Sequence, residues 1–439
     1  MRLTTCIVFL FIGTFAFAQE RITQDMMRRY AEKAQKYLDK EKALAAYYSV
    51  DTSGIKIFSS LDSKLKNKPE FFIDWAQLGD YKNKLRYEPE LAFKMYKLGK
   101  YQLPEEDHLH IPKLKLNTQG RIIDYITVPQ RKDLHGLKIA IDPGHIANDF
   151  ETGDLEKKHL KFKQDVVRGI PDSIEIAEGM LTYATAVLLK QQLEAMGAQV
   201  MLTRPEGTSA FGKTYKEWKK NDLKKAVDSL FKIGELKPSQ KNYFLSAKAD
   251  DRDIFRVIFR DLDLAKRAEL INAYHPDLTI IIHFNVDETN TNWEHPTKRN
   301  FNMTFVGGAF MKNDLSSPEK RFEFLRLLIT DDLENSIALS SCMIGSFEKT
   351  LEVPTAGNLD ARYLSEGCLS TEKKGVYCRN LQLTRYVHGP LVYGETLYQD
   401  NIKESQLLNR ESDKTKNMRI RQVAEAYFQG VLSYFTIQR

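Results

Sequence analysis

Cysteine is scarce, with four residues in a chain of 439. Cys6 lies in an apolar leader, which leaves Cys342, Cys368 and Cys378 in the rest of the chain. An odd thiol left over argues against a fold built on disulfides. Cys368 and Cys378 are near enough in sequence for a bridge that closes a short loop, and export would permit one. Beyond the leader no apolar run is long enough for a transmembrane helix, so no membrane span is expected. Internal repeats and low-complexity tracts are also absent. Nor does charge of one sign dominate: 65 Lys and Arg against 59 Asp and Glu give a formal +6. So mild an excess serves solubility, and no nucleic-acid partner is expected.

The composition is that of a folded protein, at 42% hydrophobic and 11% aromatic. The length suggests two or three domains. Residues 1–18 read as a secretory signal. Arg2 supplies the positive start, Ile7 to Phe17 the short apolar run, and Ala16-Phe17-Ala18 the small-x-small pattern before a cut at Gln19. The mature chain is therefore expected to be secreted, periplasmic or extracellular. Residues 19–132 form a smaller, mostly helical N-terminal region without a chemical motif. Ile22 to Tyr48 and Pro69 to Leu98 carry its helical spacing, and Arg121 to Val128 reads as a strand.

From residue 133 to 439 strands alternate with helices. The fold class is α/β, a mainly parallel twisted sheet with helices on both faces. Strands are predicted at 138–142, 199–202, 278–282, 301–306 and 391–393. Helices are predicted at 174–196, 262–274, 322–347 and 419–434. Insertions fall near 208–260, rich in Lys and Asp and helical in pattern, and near 340–385.

Three of these strands end on residues of ligand or acid–base type. The run Lys138-Ile-Ala-Ile-Asp-Pro-Gly-His145 breaks at a turn that cannot continue a strand, leaving His145 at its carboxyl end. His283 ends the third strand and Glu395 follows the last. In parallel strands these side chains gather at one sheet edge, where ligands bind in open α/β folds. Glu178, in the first turn of the following helix, comes to the same edge. Two His and one carboxylate are a common catalytic zinc set with a position open to water. Glu395 is the further carboxylate that amide hydrolysis needs to move a proton from water to the leaving amine. Spacing leaves Glu175 open beside Glu178 as ligand, and leaves His283 open as a core histidine bonded to backbone. His275 and His295 sit in Pro-flanked loops and are set aside.

These segments resemble the blocks of the zinc-dependent N-acetylmuramoyl-L-alanine amidases of the amidase 3 type. Lys138 to His145 resembles the first block. Glu178 with Leu181, Ala184, Leu188 and Leu193, followed by Val200-Met-Leu-Thr-Arg204, resembles the second. Leu264-Ala-Lys-Arg267, Asn272 and Asp277-Leu-Thr-Ile-Ile-Ile-His283-Phe-Asn285 resemble the third. Pro390-Leu-Val-Tyr-Gly-Glu395 resembles the last, and Arg419 to Tyr434 the terminal helix. The resemblance implies one Zn2+ held by His145, Glu178 and His283, catalysis by Glu395, and peptidoglycan as substrate. Arg385 is a candidate for orienting the substrate or Glu395. The alternatives are a zinc peptidase acting on another amide and a non-enzymatic wall-binding scaffold.

Four departures border the expected cleft. Ile146-Ala-Asn-Asp-Phe150 stands where the family has glycines, and Gly394-Glu395 where it has Val-Glu. The loop to Glu178 is long, and the two insertions are large. Some members carry a regulatory plug helix or answer to an activator protein; here 322–347 and part of 208–260 are the candidates for a plug.

Overall fold

The computed structural model describes residues 24–40, 42, 44–101, 133–146, 149–165 and 169–437. The expected leader with its expected cut at Gln19, and the strand expected at 121–128, lie outside them. The N-terminal region holds a helix over residues 24–33, the helices Leu78–Tyr87 and Pro89–Lys97, and a small antiparallel sheet. That sheet orders β1 (Tyr48–Asp51), β2 (Gly54–Ile57) and β3 (Phe71–Asp74). Its aromatic core continues into the rest of the chain: the rings of Phe93 and Phe322 lie 4.9 Å apart, and Arg321 pairs with Glu70 at 2.6 Å.

The remaining strands are β4 (Lys138–Pro143), β5 (His159–Phe162), β6 (Ile174–Ala177), β7 (Gln199–Leu202), β8 (Leu278–Asn285), β9 (Met303–Val306), β10 (Leu369–Ser370), β11 (Val376–Cys378) and β12 (Leu391–Tyr398). Seven of them form the central sheet in the order β10-β11-β9-β12-β8-β4-β7. β12, β8, β4 and β7 run parallel, while β9 is antiparallel to β12. β5 and β6 form a separate hairpin.

The helices that cover this sheet are α1 (Glu178–Ala195), α2 (Arg260–Tyr274), α3 (Pro318–Ile329), α4 (Asp332–Leu351) and α5 (Met418–Ile437). The apolar runs of β4 and β8 are buried on both faces, as central parallel strands require. Ile139, Ile141, Ile280 and Ile282 join the core of Leu181, Val423 and Tyr427. Ala140 and Ile281, one residue out of phase, pack with Ala268 and Ile271 of α2.

Three expectations change. Residues 174–177 are strand rather than helix, because Ile174 to Ala177 pair with Phe162 to His159. α1 therefore starts at Glu178 itself. The helix expected at 322–347 is two helices, α3 and α4, broken where Thr330 turns to extended backbone. Lys33 Nζ donates to Thr330 O at 2.6 Å there, and Asp331 pairs with Arg29 and Lys82. α4 lies in the core with Met343 and Phe347 fully buried, so it is not a plug. Finally, the strands carrying His283 and Glu395 run three and five residues further than expected, so both residues sit within strands.

The 208–260 insertion is helical, as its pattern indicates, and has its own core of Tyr215, Trp218, Val227, Phe255 and Phe259. Ile146 packs into that core, so the insertion is anchored beside His145. The three thiols are all free.

Candidate metal centre

β4 carries the chain to Pro143, and Gly144 N still donates to Ile282 O at 3.0 Å. His145 then adopts a left-handed backbone, φ 61°, unfavourable for a residue with a Cβ. Buried cations hold this turn. Arg267 donates to Pro143 O at 2.8 Å and to His145 O at 2.8 Å, and Arg204 Nε donates to Pro143 O at 3.1 Å. Arg267 is itself paired with Asp263 at 2.6 Å and Asp142 at 3.2 Å. Gly144 has a steric reason. A Cβ there would lie 2.3 Å from His283 Cε1 and 2.6 Å from Ile282 O, so only glycine lets the His283 ring lie against the turn.

Glu178 is brought over the same edge by the hairpin that leads into α1. Its N–H donates to Lys158 O at 3.0 Å. Its Oε1 accepts from Phe284 N at 3.1 Å. The same oxygen lies 3.1 Å from His145 Nε2 and 3.2 Å from His283 Nδ1, and these two ring nitrogens are 3.1 Å apart. The three donors thus form a near-equilateral triangle. A tetrahedral ion with bonds of about 2.0–2.1 Å sets its donors about 3.3 Å apart. The triangle fits such an ion, and its nitrogen and carboxylate donors suit one of borderline softness. Among the described residues this is the group of His, Cys, Asp or Glu side chains positioned to hold a metal.

The electrostatics of Glu178 and His283 agree with that use; burial alone would lower the His145 imidazole, but the charges of Glu178 and Glu156 outweigh it and raise it, so an ion there displaces a proton from that ring. Burial pushes the His283 imidazole down to about 4, so it is neutral with a lone pair to give. Burial alone would raise the Glu178 carboxyl, but His145 and Lys158 outweigh it and hold the group well below the usual carboxylate range. Glu175, the competing carboxylate, is exposed on β6 and outside the triangle.

Glu395 stands directly across from His283 in the β12–β8 register. Burial, with the nearby charge of Glu178, lifts its carboxyl to about 7. Two residues back, Tyr393 stacks on the His283 ring with centroids 4.5 Å apart and planes 5° apart. The departure at Gly394 has a cause in the fold. A Cβ there would lie 2.1 Å from Tyr427 Oη, and that hydroxyl donates to Gly394 O at 3.2 Å. A cavity of about 150 Å³ adjoins the centre, lined by Gly144, His145, Glu156, Arg267, His283 and Tyr393.

Arg385 is not brought to this group. Its guanidinium bonds Asn380 Oδ1 at 3.0 Å and lies 4.7 Å from the Tyr386 ring. The cations whose charge acts on Glu395 are instead Lys158 and then Arg379, the latter stacked 4.9 Å from both Phe305 and Tyr363.

Two further residues escaped sequence reading. Glu156 accepts from His145 Nδ1 at 2.9 Å and from Ile146 N at 3.1 Å. Such a carboxylate fixes the tautomer that leaves Nε2 free as a ligand. Lys158 places its ammonium 3.4 Å from Glu178 Oε2. Both lie in a polar stretch without periodicity, where spacing carries no signal.

The structure is similar in fold to the CwlD amidase of Clostridioides difficile in complex with the GerS lipoprotein (17% identity, 69% of this chain and 99% of that chain, TM-score 0.38). It is likewise similar to the N-acetylmuramyl-L-alanine amidase Ami1 of Mycobacterium abscessus (16% identity, 68% and 99%, TM-score 0.35). A third is the catalytic domain of CwlV from Bacillus (Paenibacillus) polymyxa (15% identity, 68% and 97%, TM-score 0.35). No curated protein sequence gives a significant match. The model of the N-acetylmuramoyl-L-alanine amidase family Amidase_3 matches residues 139–432, well over half of the chain. The chain belongs to that family.

Proposed function

We propose that this protein is an exported zinc-dependent amidase that cleaves the bond between the lactyl group of N-acetylmuramic acid and the L-alanine of the peptidoglycan stem peptide. The observation that carries the proposal is the donor triangle of His145 Nε2, Glu178 Oε1 and His283 Nδ1, with edges of 3.1 to 3.2 Å, beside Glu395. Family membership supports the amide as the bond attacked. His145, Glu178 and His283 would hold the ion, and when bound it supplies Lewis-acid polarisation of a carbonyl and a lowered water pKa.

The chain's own residues supply the rest. Glu156 keeps His145 in the tautomer with Nε2 unprotonated. Burial and the charge of Glu178 lift the Glu395 carboxyl to about 7, which makes its carboxylate more basic than an exposed one. It therefore accepts a proton from the attacking water and returns it to the leaving amine with little driving force lost in either direction. Tyr393 holds the His283 ring flat. Domain assignment follows: residues 133–439 form the catalytic unit, and the N-terminal region, sharing its core, supports it through α3.

The test is digestion of purified cell wall by the intact protein with zinc, and again with chelator. The expected products, read by mass spectrometry, are stem peptides with a free L-alanine amino terminus and glycan bearing a free lactyl carboxylate, absent with chelator. Products cut within the peptide would favour a zinc peptidase. Wall binding without any cleavage would favour a scaffold.

A further inference from the structure

We propose that Lys158 and Trp293 form a carboxylate-binding subsite beside the metal centre, holding the free carboxylate that lies on the peptide side of the cleaved amide. The inference rests on the amidase reading above and names a substrate group that reading leaves open.

The backbone of Lys158 is fixed on both sides. Its N–H donates to Gly153 O at 2.8 Å, and its carbonyl accepts from Glu178 N at 3.0 Å. The ammonium stands 3.4 Å from Glu178 Oε2, and its side chain is 31% exposed where that of Glu178 is 1% exposed. It therefore touches the metal centre while part of it stays open to solvent. Glu178 is its one ion-pair partner among the described residues. An ammonium carries three donors, so one such contact leaves it able to take a second anion.

Trp293 gives the second, independent observation. Its backbone is left-handed, φ 61°, which is rare for a residue with so large a side chain. The surroundings impose that conformation. Trp293 N donates to Asn290 O at 3.1 Å and its carbonyl accepts from Lys161 N at 2.9 Å. Asn290 is tied in turn to Asp400 at 3.0 Å. The result is an indole placed 4.7 Å from the Lys158 ammonium, within cation–π range. An aromatic face under a cation fixes the cation's position and keeps water from one side of it. That is how an anion-recognition group is preorganised, and the packing of the indole against the main core holds it there. A muramoyl-L-alanyl-D-glutamate unit presents a free carboxylate one residue beyond the cleaved amide, which suits a single cation at the rim of the centre.

The experiment uses the zinc-loaded full chain carrying Glu395→Gln, so that the ligand is not consumed. Calorimetry compares N-acetylmuramoyl-L-alanyl-D-glutamate with the same molecule amidated at the carboxyl nearest alanine. The acid is expected to bind at least tenfold more tightly, with the difference shrinking as salt rises. Adding Lys158→Met is expected to erase the difference, and Lys158→Arg to keep part of it. Zinc content is measured in each variant. Equal binding of acid and amide overturns the proposal. So does no binding of either at millimolar concentration, or a loss in Lys158→Met that is equal for both, which would mean that Lys158 acts only through Glu178. Cell-wall digestion by the unaltered chain reports separately on the amidase reading, so the two can fail independently.

Discussion

Replacing Gly144 by alanine isolates the contact that seats His283. The backbone of Gly144 is not left-handed, so alanine meets no conformational obstacle there. The added methyl would lie 2.3 Å from Cε1 and 2.4 Å from Nε2 of His283, and 2.6 Å from Ile282 O. Carbon–carbon contacts sit near 3.5–4.0 Å, so the ring must move by about 1 Å or more. Tyr393, stacked 4.5 Å away on the ring, resists that motion. Moving Nδ1 by that much opens the donor triangle well beyond the ~0.2 Å tolerance of a metal bond. The expected loss in zinc affinity is about 100-fold, comparable to removing an outer support of a ligand. Overpacking should lower stability by about 1–3 kcal/mol, too little to unfold the chain. The assay is zinc content after equilibration against a competing chelator, with circular dichroism to confirm the fold. A folded alanine variant that binds zinc as tightly as the unaltered protein would refute the steric argument.

Three other outcomes follow from the same coordinates. Glu156→Ala is expected to weaken zinc binding about 10–100-fold by freeing the His145 tautomer, with turnover partly restored by excess zinc; unchanged affinity would show that Glu156 does not orient the ligand. Arg267→Met leaves Asp142 and Asp263 buried without their shared cation and should cost about 3–5 kcal/mol in denaturant unfolding. Asp400 is raised from 3.8 to about 6, chiefly by burial, so the folded state holds its proton more tightly than the unfolded state. Its stabilising contribution is therefore complete below about pH 4 and is lost as pH rises through about 6. Relative to Asp400→Asn, the unaltered protein should lose about 3 kcal/mol between pH 4 and 8, and parallel pH profiles of the two would contradict this.

How much of this the sequence disclosed depends on where the information sits. The isoleucine runs of β4 and β8 are buried on both faces and announce themselves by composition. The residues that end or interrupt these strands stand out against them, so the positions of His145 and His283 are legible, and Glu395 stands out in the same way against the apolar start of β12. β6 is not legible. Its Ile174 and Ile176 merge smoothly into the apolar pattern of α1, and only pairing with His159 to Phe162 separates strand from helix. The break between α3 and α4 has no Gly or Pro to mark it; it is met by Lys33, Arg29 and Lys82 from the N-terminal region. Glu156, Lys158 and Arg379 act through distances that no local pattern encodes. Arg385, chosen for its nearness in sequence to the last strand, turns instead to Asn380 and Tyr386.

The central claim is that three side chains hold a zinc ion while Glu395 moves the proton. The most direct measurement is zinc content paired with muropeptide release in two purified variants. Glu395→Gln is expected to keep one zinc per chain and lose turnover, and His283→Ala to lose both. Normal release of stem peptides by Glu395→Gln, or full zinc occupancy in His283→Ala, would contradict the account.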